Sequence, residues 1–172
     1  GDGVDSNGSI EVSGGVTLVS GPTNGGNGAL DYGKSATVAG GVFIATGSSG
    51  MAQGFSAATN QGAMLINVGN LSANVSIAIC DENGKCIASF TPDKSYQTAV
   101  ITAPEIQQGK KYSIYSSAEV ANADKFGYAS NTVCNGGNRI AEISMDSLLY
   151  GMGGGFGGPA GGGARGGVLR GH

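Results

Sequence analysis

The sequence predicts an all-β protein, and three observations lead to this expectation. Glycine accounts for 34 of the 172 residues, well above the roughly 7% that is average. Strong helix formers are sparse, and Val, Ile, Thr and Ser recur in short alternating runs between Gly and Asn, which is typical of strands separated by turns. The third observation is a repeat with an offset of 26 residues in the first part of the chain.

The repeat aligns "VDSNGSIEVSGGVTLVSG" (4–21) with "LDYGKSATVAGGVFIATG" (30–47), so that Asp5 meets Asp31. A fixed period in this range is the mark of repeat architectures, in which one unit cannot bury its own apolar face. We therefore expect right-handed parallel β-helix rungs and a connecting loop over residues 1–62. The alternative is that the copies are two similar hairpins of an antiparallel sandwich.

Each copy contains two short stretches of alternating apolar residues joined by a Gly-Gly corner. In the first copy the corner is Gly14 and Gly15, and in the second it is Gly40 and Gly41. Glycine suits a corner because it readily adopts positive φ angles. The pattern predicts two strands per rung, hinged at these glycines.

Several segments resemble the bacterial carbohydrate-binding domain-containing proteins, a family with pectate-lyase-like parallel β-helices. The resemblance is carried by "GDGVDSNGS", "SGGVTLVSG", "GPTNGGNGALDY", "TGSSGMAQ" and "SFTPDKSYQTAVITAPEIQQGKKYSIY", and it covers residues 1–117 best. Members are secreted or surface-anchored, and one branch binds calcium and acidic plant polysaccharide of the pectin type. The resemblance implies a similar fold and ligand here.

The aspartates of the repeat are the candidate metal ligands. Stacking of the two copies would place Asp5 directly beside Asp31. Like charges so opposed destabilise a sheet unless a cation lies between them or one carboxylate is protonated. Calcium suits such a site because it takes six to eight oxygen ligands in flexible geometry. Asp2 and Asn7 offer further oxygens. The alternative is that the aspartates cap turns, whereas the resemblance, whose calcium sites fall in GDG-type loops, favours calcium.

The surroundings of the aspartates suggest a sugar site. Tyr32 follows Asp31, Phe43 would point outward from the rung, and the preceding loop carries Asn24 and Asn27. An aromatic ring beside a bound cation would hold a uronic acid, with the carboxylate on the metal. The alternative is that the two rings are ordinary surface residues or are covered by the segment that follows.

No enzymatic activity is expected. Lys34 is the only basic residue near the aspartates, where a pectate-lyase-like enzyme would need its base. A solvated charge is the favoured alternative, because nothing nearby would activate the amine as a base. We place Lys34 among the ligand-binding residues. The single histidine, His172, cannot build a catalytic triad.

The 26-residue register is lost after the second copy. Residues 63–150 are expected to form an antiparallel β module that caps the rungs, with candidate strands at 63–68, 74–80, 86–91, 96–102 and 111–116. Within this module, a three-residue loop in "CDENGKC" would place Cys80 opposite Cys86 and permit a disulfide. A two-residue turn would instead turn the two cysteines to opposite faces. Cys134 is left over, either buried or available to another chain, and a zinc site is not expected.

Composition also bounds the partners and the location of the protein. The net charge is −3 and there is no Lys/Arg cluster, which argues against a nucleic-acid surface. No apolar run approaches the roughly 18 residues of a membrane span. Low charge, abundant Asn, Ser, Thr and Gly, and paired cysteines favour a secreted or cell-surface protein. The chain begins without Met or a signal sequence, so we expect a processed chain or a fragment.

Two rungs are too few to close a solenoid core, for which at least three are normally needed. This gives a second hypothesis, a self-assembling subunit of an extracellular fibre that stacks through its uncapped end. The low-complexity tail over residues 151–172, "GMGGGFGGPAGGGARGGVLRGH", is expected to be flexible and to assist assembly by docking on a neighbour.

Overall fold

The structure, a computed structural model, describes residues 1–151, so the predicted Gly-rich tail lies outside the described residues apart from Gly151. Over residues 1–151 the chain forms fourteen strands and no helix. The strands are β1 (Val4–Ser6), β2 (Ser9–Ser20), β3 (Leu30–Tyr32), β4 (Ser35–Gly47), β5 (Ala57–Ala58), β6 (Ala63–Leu71), β7 (Ile77–Cys80), β8 (Lys85–Phe90), β9 (Tyr96–Thr102), β10 (Lys111–Ser116), β11 (Glu119–Val120), β12 (Ala129–Asn135), β13 (Asn138–Ser144) and β14 (Leu149–Tyr150).

The strands form two six-stranded sheets and one small pair. The first sheet has the order β14-β6-β9-β4-β2, with β5 added beside β4, and mixes parallel and antiparallel pairs. The second sheet has the order β11-β12-β8-β7-β10-β13 and is antiparallel throughout. Strands β1 and β3 form the small parallel pair.

The two copies of the sequence repeat lie side by side in the mixed sheet. Strands β2 and β4 are parallel, with Val16 opposite Val42 and Leu18 opposite Ile44, an offset of 26 residues. The pairing is irregular around Gly15, which has a φ of 76°. Gly41, with a φ of 86°, turns the backbone at the equivalent point of β4.

The expected right-handed parallel β-helix with an antiparallel cap is wrong, because the sheets are mixed and antiparallel and form no solenoid. The physical reason lies at the far side of β4. Antiparallel strand β9 pairs with residues 43–47 of β4 and so takes the place that a further parallel rung would need. In the part of the chain that the structure describes, the two-residue strand β5 alone continues the parallel order, beside Thr37 and Val38. The register of the two copies therefore describes one strand pair and not a repeating architecture.

Two apolar cores cover both faces of the mixed sheet. The larger core lies between the two sheets and includes Ile44 and Met64 from the mixed sheet and Ile79 and Ile114 from the antiparallel one. The smaller core covers the opposite face and contains residues such as Leu30, Phe43, Phe55 and Val100. Alternation along β4 explains the division, because neighbouring side chains on a strand point to opposite faces.

The boundary predicted between residues 1–62 and 63–150 stays a prediction. Strands β6 and β9 of the second segment pair with each other, and β9 also pairs with β4 of the first. The segments thus share the mixed sheet.

Candidate functional site

The parallel pair β1 and β3 carries two of the predicted metal ligands. Asp5 is the register partner of Asp31, and Val4 is the partner of Leu30. Leu30 is fully buried in the smaller core and anchors β3, so that the adjacent Asp31 lies on the other face of the strand. The backbone N–H of Gly3 also donates a 3.0 Å hydrogen bond to Gly28 O, which aligns the start of β1 with the second copy.

Three carboxylates meet at this strand pair, and we call Asp2, Asp5 and Asp31 the aspartate cluster. One carboxylate oxygen from each lies within 4.8 Å of the others. Asp5 is exposed, and the other two side chains are half-buried. Asp2 is held in place because its Oδ1 accepts a 2.7 Å hydrogen bond from the backbone N–H of Gly28.

No basic side chain neutralises the aspartate cluster within the described chain. Over residues 1–151 one ion pair is formed, between Arg139 and Glu142 in the antiparallel sheet. Lys34 is exposed, and its backbone N–H donates to Gly8 O. The cluster is therefore a local concentration of negative charge that faces solvent.

The predicted asparagine ligands have partners in their own loops. Asn24 Oδ1 accepts hydrogen bonds from Gly26 N–H at 3.2 Å and from Asn27 Nδ2 at 2.7 Å. Asn7 is exposed in the turn between β1 and β2, where its carbonyl oxygen lies close under Gly33. The structure thus brings the three aspartates together, whereas Asn24 and Asn27 form a separate hydrogen-bonded loop.

The two predicted aromatic residues differ in their exposure. Tyr32 is half-buried, its hydroxyl donates a 2.7 Å hydrogen bond to Gly54 O, and burial raises its pKa. Phe43 points away from Val42 and Ile44, as expected, but it is not a surface residue, because its side chain is 1% exposed. Phe43 instead packs edge-on against Phe55, with ring centroids 5.3 Å apart, in the smaller core.

The aspartate cluster has the chemistry of a site for a hard cation. Carboxylate oxygens are the ligands that calcium prefers, and calcium accepts six to eight oxygens at about 2.3–2.6 Å. Three carboxylates supply part of such a shell. The remaining positions face solvent on the side of Asp5, so they are open to water or to an anionic ligand.

The outer edge of β2 is a second feature with functional potential. In the described chain β2 pairs with β4 on one side and with no strand on the other, and Val16 in its middle is 51% exposed. Among residues 1–151, no heavy atom lies within 4 Å of a Cβ atom added at Gly14 or Gly15. At the equivalent Gly40 and Gly41, an added Cβ would lie 2.6 Å from the backbone of β2.

The cysteines form a cluster that sequence reasoning missed. Cys80 and Cys86 are cross-strand partners in the β7–β8 hairpin, as expected, but all three cysteines are free thiols. The Sγ atom of Cys134 lies 2.9 Å from that of Cys80. The Cys80–Cys86 disulfide stays a prediction, since the structure offers Cys80 a second partner. The only signal for this cluster in the sequence was the odd number of cysteines, and that number does not tell which of them lie together.

Comparison of the chain with family models, curated proteins and solved structures gives no match. Within residues 1–151 no helix has the length and the apolar character that crossing a membrane requires.

Proposed function

We propose that this protein is a non-catalytic, secreted or cell-surface protein that binds acidic polysaccharide of the pectin type through calcium. The observation that carries the proposal is the in-register pairing of Asp5 with Asp31, joined by Asp2 to within 4.8 Å. The cation would bind at this aspartate cluster, and the polysaccharide would bind to the cation.

Electrostatics supports the cation. Two like charges at 4 Å repel by about 1 kcal/mol in bulk water and by about 4 kcal/mol at the effective dielectric near a protein surface. Turn capping, the alternative role, accounts for Asp2, which binds the Gly28 N–H. For Asp5 and Asp31 the structure gives no side-chain hydrogen bond to a backbone N–H within the described residues. A divalent cation offsets the repulsion between them.

The exposure of Asp5 supports an external ligand. A cation held by half-buried Asp2 and Asp31 and by exposed Asp5 keeps coordination positions on the solvent side. A uronate carboxylate is a hard oxygen donor that would fill them, and Lys34 lies three residues after Asp31 to pair with a further uronate. The resemblance to the carbohydrate-binding family agrees with this ligand class.

Binding assays with defined glycans test the proposal. The protein is titrated with polygalacturonate by isothermal calorimetry in calcium and in chelator, with neutral galactan as the comparison glycan. We expect binding to polygalacturonate in calcium alone, and its loss in Asp31→Asn. The matched control is Asp93→Asn, which makes the same change at an exposed position outside the cluster. Binding that persists in chelator and in Asp31→Asn would contradict the proposal.

A second candidate function is self-association through the outer edge of β2, by which copies would build an extracellular assembly. The observation that favours it is the open Gly14–Gly15 corner. The equivalent Gly40–Gly41 corner leaves room for a neighbouring backbone, and β2 fills that room. The first corner also has two adjacent glycines, and no residue of the described range 1–151 packs on it. An unpaired edge strand is a template for another strand.

A substitution at the open corner tests this second function. Gly14→Val adds a side chain that meets no other residue of the range 1–151, at a backbone angle outside the positive-φ region, so we expect the subunit to keep its fold. We expect sedimentation and electron microscopy to show assemblies of the natural protein and monomers of Gly14→Val. Ser130→Val, at an exposed position inside the antiparallel sheet, is the control. A natural protein that stays monomeric at every concentration would contradict self-association.

A further inference from the structure

The three cysteines meet at the turn end of the β7–β8 hairpin. One sulfur atom from each of Cys80, Cys86 and Cys134 lies within 4.8 Å of the others. Cys80 and Cys86 are register partners at a β-bulge, and Cys134 reaches them from β12, whose Thr132 pairs with Cys86. Residues 54 positions apart in the sequence are thereby joined at one point.

Cys80 is the shared partner in this cluster. Its Sγ lies 2.9 Å from Cys134 Sγ, a separation between a non-bonded sulfur contact and the roughly 2.05 Å of a disulfide bond. The hydrogen bond with Cys86, together with burial, raises the pKa of Cys80. Burial and the contact with Cys80 raise the pKa of Cys134 to about 12.

These surroundings favour a disulfide over a metal site. A metal would need all three sulfurs as thiolates at once, which an apolar setting disfavours, whereas disulfide exchange needs one thiolate at a time. The cluster packs against Ala78 and Ala118. Structural zinc also requires four ligands. The described chain brings no carboxylate or histidine into this group of three cysteines.

We propose that Cys80 and Cys134 form the disulfide of the oxidised protein, and that Cys86 remains beside them as a buried thiol. The half-buried Cys134 is the more accessible of the pair, since Cys80 is only 1% exposed. This assignment replaces the Cys80–Cys86 pairing that the hairpin spacing alone suggests, and it is independent of the proposed calcium site.

Oxidation needs a partner disulfide, either a small molecule such as oxidised glutathione or a protein disulfide. The Cys134 thiolate attacks one sulfur of the partner, forming a mixed disulfide and releasing the first partner thiol. The Cys80 thiolate then attacks Cys134 Sγ in the mixed disulfide, which forms the Cys80–Cys134 bond and releases the second partner thiol. Two protein thiols are thus oxidised and one partner disulfide is reduced to two thiols.

Peptide mapping of the full chain decides between the two pairings. Trypsin separates the three cysteines, because cleavage after Lys34, Lys85, Lys94, Lys125 and Arg139 leaves them in peptides 35–85, 86–94 and 126–139. The protein is refolded with oxidised and reduced glutathione, blocked with a thiol reagent and digested without reduction. We expect peptide 35–85 linked to 126–139, and one blocked thiol, on Cys86. Linkage of 35–85 to 86–94, or three blocked thiols, would overturn the proposal.

Two variants provide an independent check. Cys86→Ser keeps the disulfide and has no remaining free thiol, whereas Cys134→Ser loses the linked pair. Because the bond closes a loop of 54 residues, its reduction in Cys86→Ser should lower the Tm by roughly 10 °C. An unchanged Tm on reduction, or stoichiometric zinc in the purified natural protein with all thiols reduced, would also contradict the assignment.

Discussion

Asp5 and Asp31 are register partners across the parallel pair β1–β3, so two carboxylates face each other on a protein surface. The carboxylate of Asp2, two residues before β1, lies close to both, and it accepts a hydrogen bond from the backbone N–H of Gly28. Over residues 1–151 no basic side chain forms an ion pair with them. This concentration of charge is the basis of the calcium proposal and of the first prediction.

Removing one charge from the aspartate cluster should have opposite effects with and without calcium. In chelator, Asp5→Asn relieves repulsion and should raise the free energy of unfolding by about 0.5 kcal/mol. In calcium the same variant loses a ligand and should be less stable than the natural protein. Urea unfolding in both buffers measures the two differences. A variant that is destabilised by the same amount in both buffers would show that Asp5 acts by capping a turn.

The enclosed position of Phe43 predicts a large loss of stability on truncation. Phe43→Ala should cost about 3–5 kcal/mol, because the ring is buried against Phe55 and its removal leaves a cavity. The control is Phe126→Ala, whose side chain is 53% exposed and should cost less than about 1 kcal/mol. Denaturant unfolding of the two variants makes the comparison. Similar small losses would mean that Phe43 lies on the surface.

The two Gly-Gly corners should respond differently to the same substitution. Gly15→Ala introduces a side chain at a φ of 76° but into open space, and should cost about 1 kcal/mol. Gly41→Ala has the same positive-φ strain, and its Cβ would in addition lie 2.6 Å from the Gly14 backbone. It should therefore cost about 3 kcal/mol. Equilibrium unfolding in dilute solution gives both values. Equal losses would show that β2 does not pack tightly on β4.

Tyr96 should make the protein less stable at alkaline pH. Burial raises the pKa of its phenol, whose oxygen donates a 2.9 Å hydrogen bond to Val75 O. The folded state therefore favours the neutral phenol, whereas the phenol of the unfolded chain ionises near its ordinary pKa of about 10. The stabilisation is complete below that pH and is lost as the pH rises above it.

Unfolding titrations between neutral pH and pH 11 test this dependence. Tyr96→Phe should lose about 1 kcal/mol at neutral pH with the hydrogen bond, and its stability should fall less steeply above pH 10. A variant whose alkaline loss is as steep as that of the natural protein would show that Tyr96 does not contribute to it.

Local patterns predicted the strands well. Candidate strands at 96–102 and 111–116 coincide with β9 and β10, and alternation with turn residues at the ends was sufficient for this. The 26-residue offset also predicted which residues of β2 and β4 lie opposite each other. The solenoid was wrong because a repeat specifies the pairing of its own copies and carries no information about the strand on the far side of β4.

The candidate site was predictable to the extent that it depends on the 26-residue offset between the two copies of the repeat. Asp5 and Asp31 meet because the copies align, and Asp2 meets them because it precedes β1 by two residues. The outward direction of Phe43 followed from the alternation, whereas its burial stayed open, because a residue that points away from one core can enter a second core, here the one around Phe55. The approach of Cys134 to Cys80 depends on the order of β12, β8 and β7 in the sheet, which no local pattern specifies.

Thermal unfolding in calcium and in chelator tests the central claim most directly. At calcium about 100 times the dissociation constant, binding adds about 2.7 kcal/mol, which corresponds to a rise in Tm of about 5–10 °C. We predict this rise for the natural protein and for Asp93→Asn, and no rise for Asp31→Asn. A natural protein with the same Tm in chelator and in millimolar calcium would contradict calcium binding at Asp2, Asp5 and Asp31.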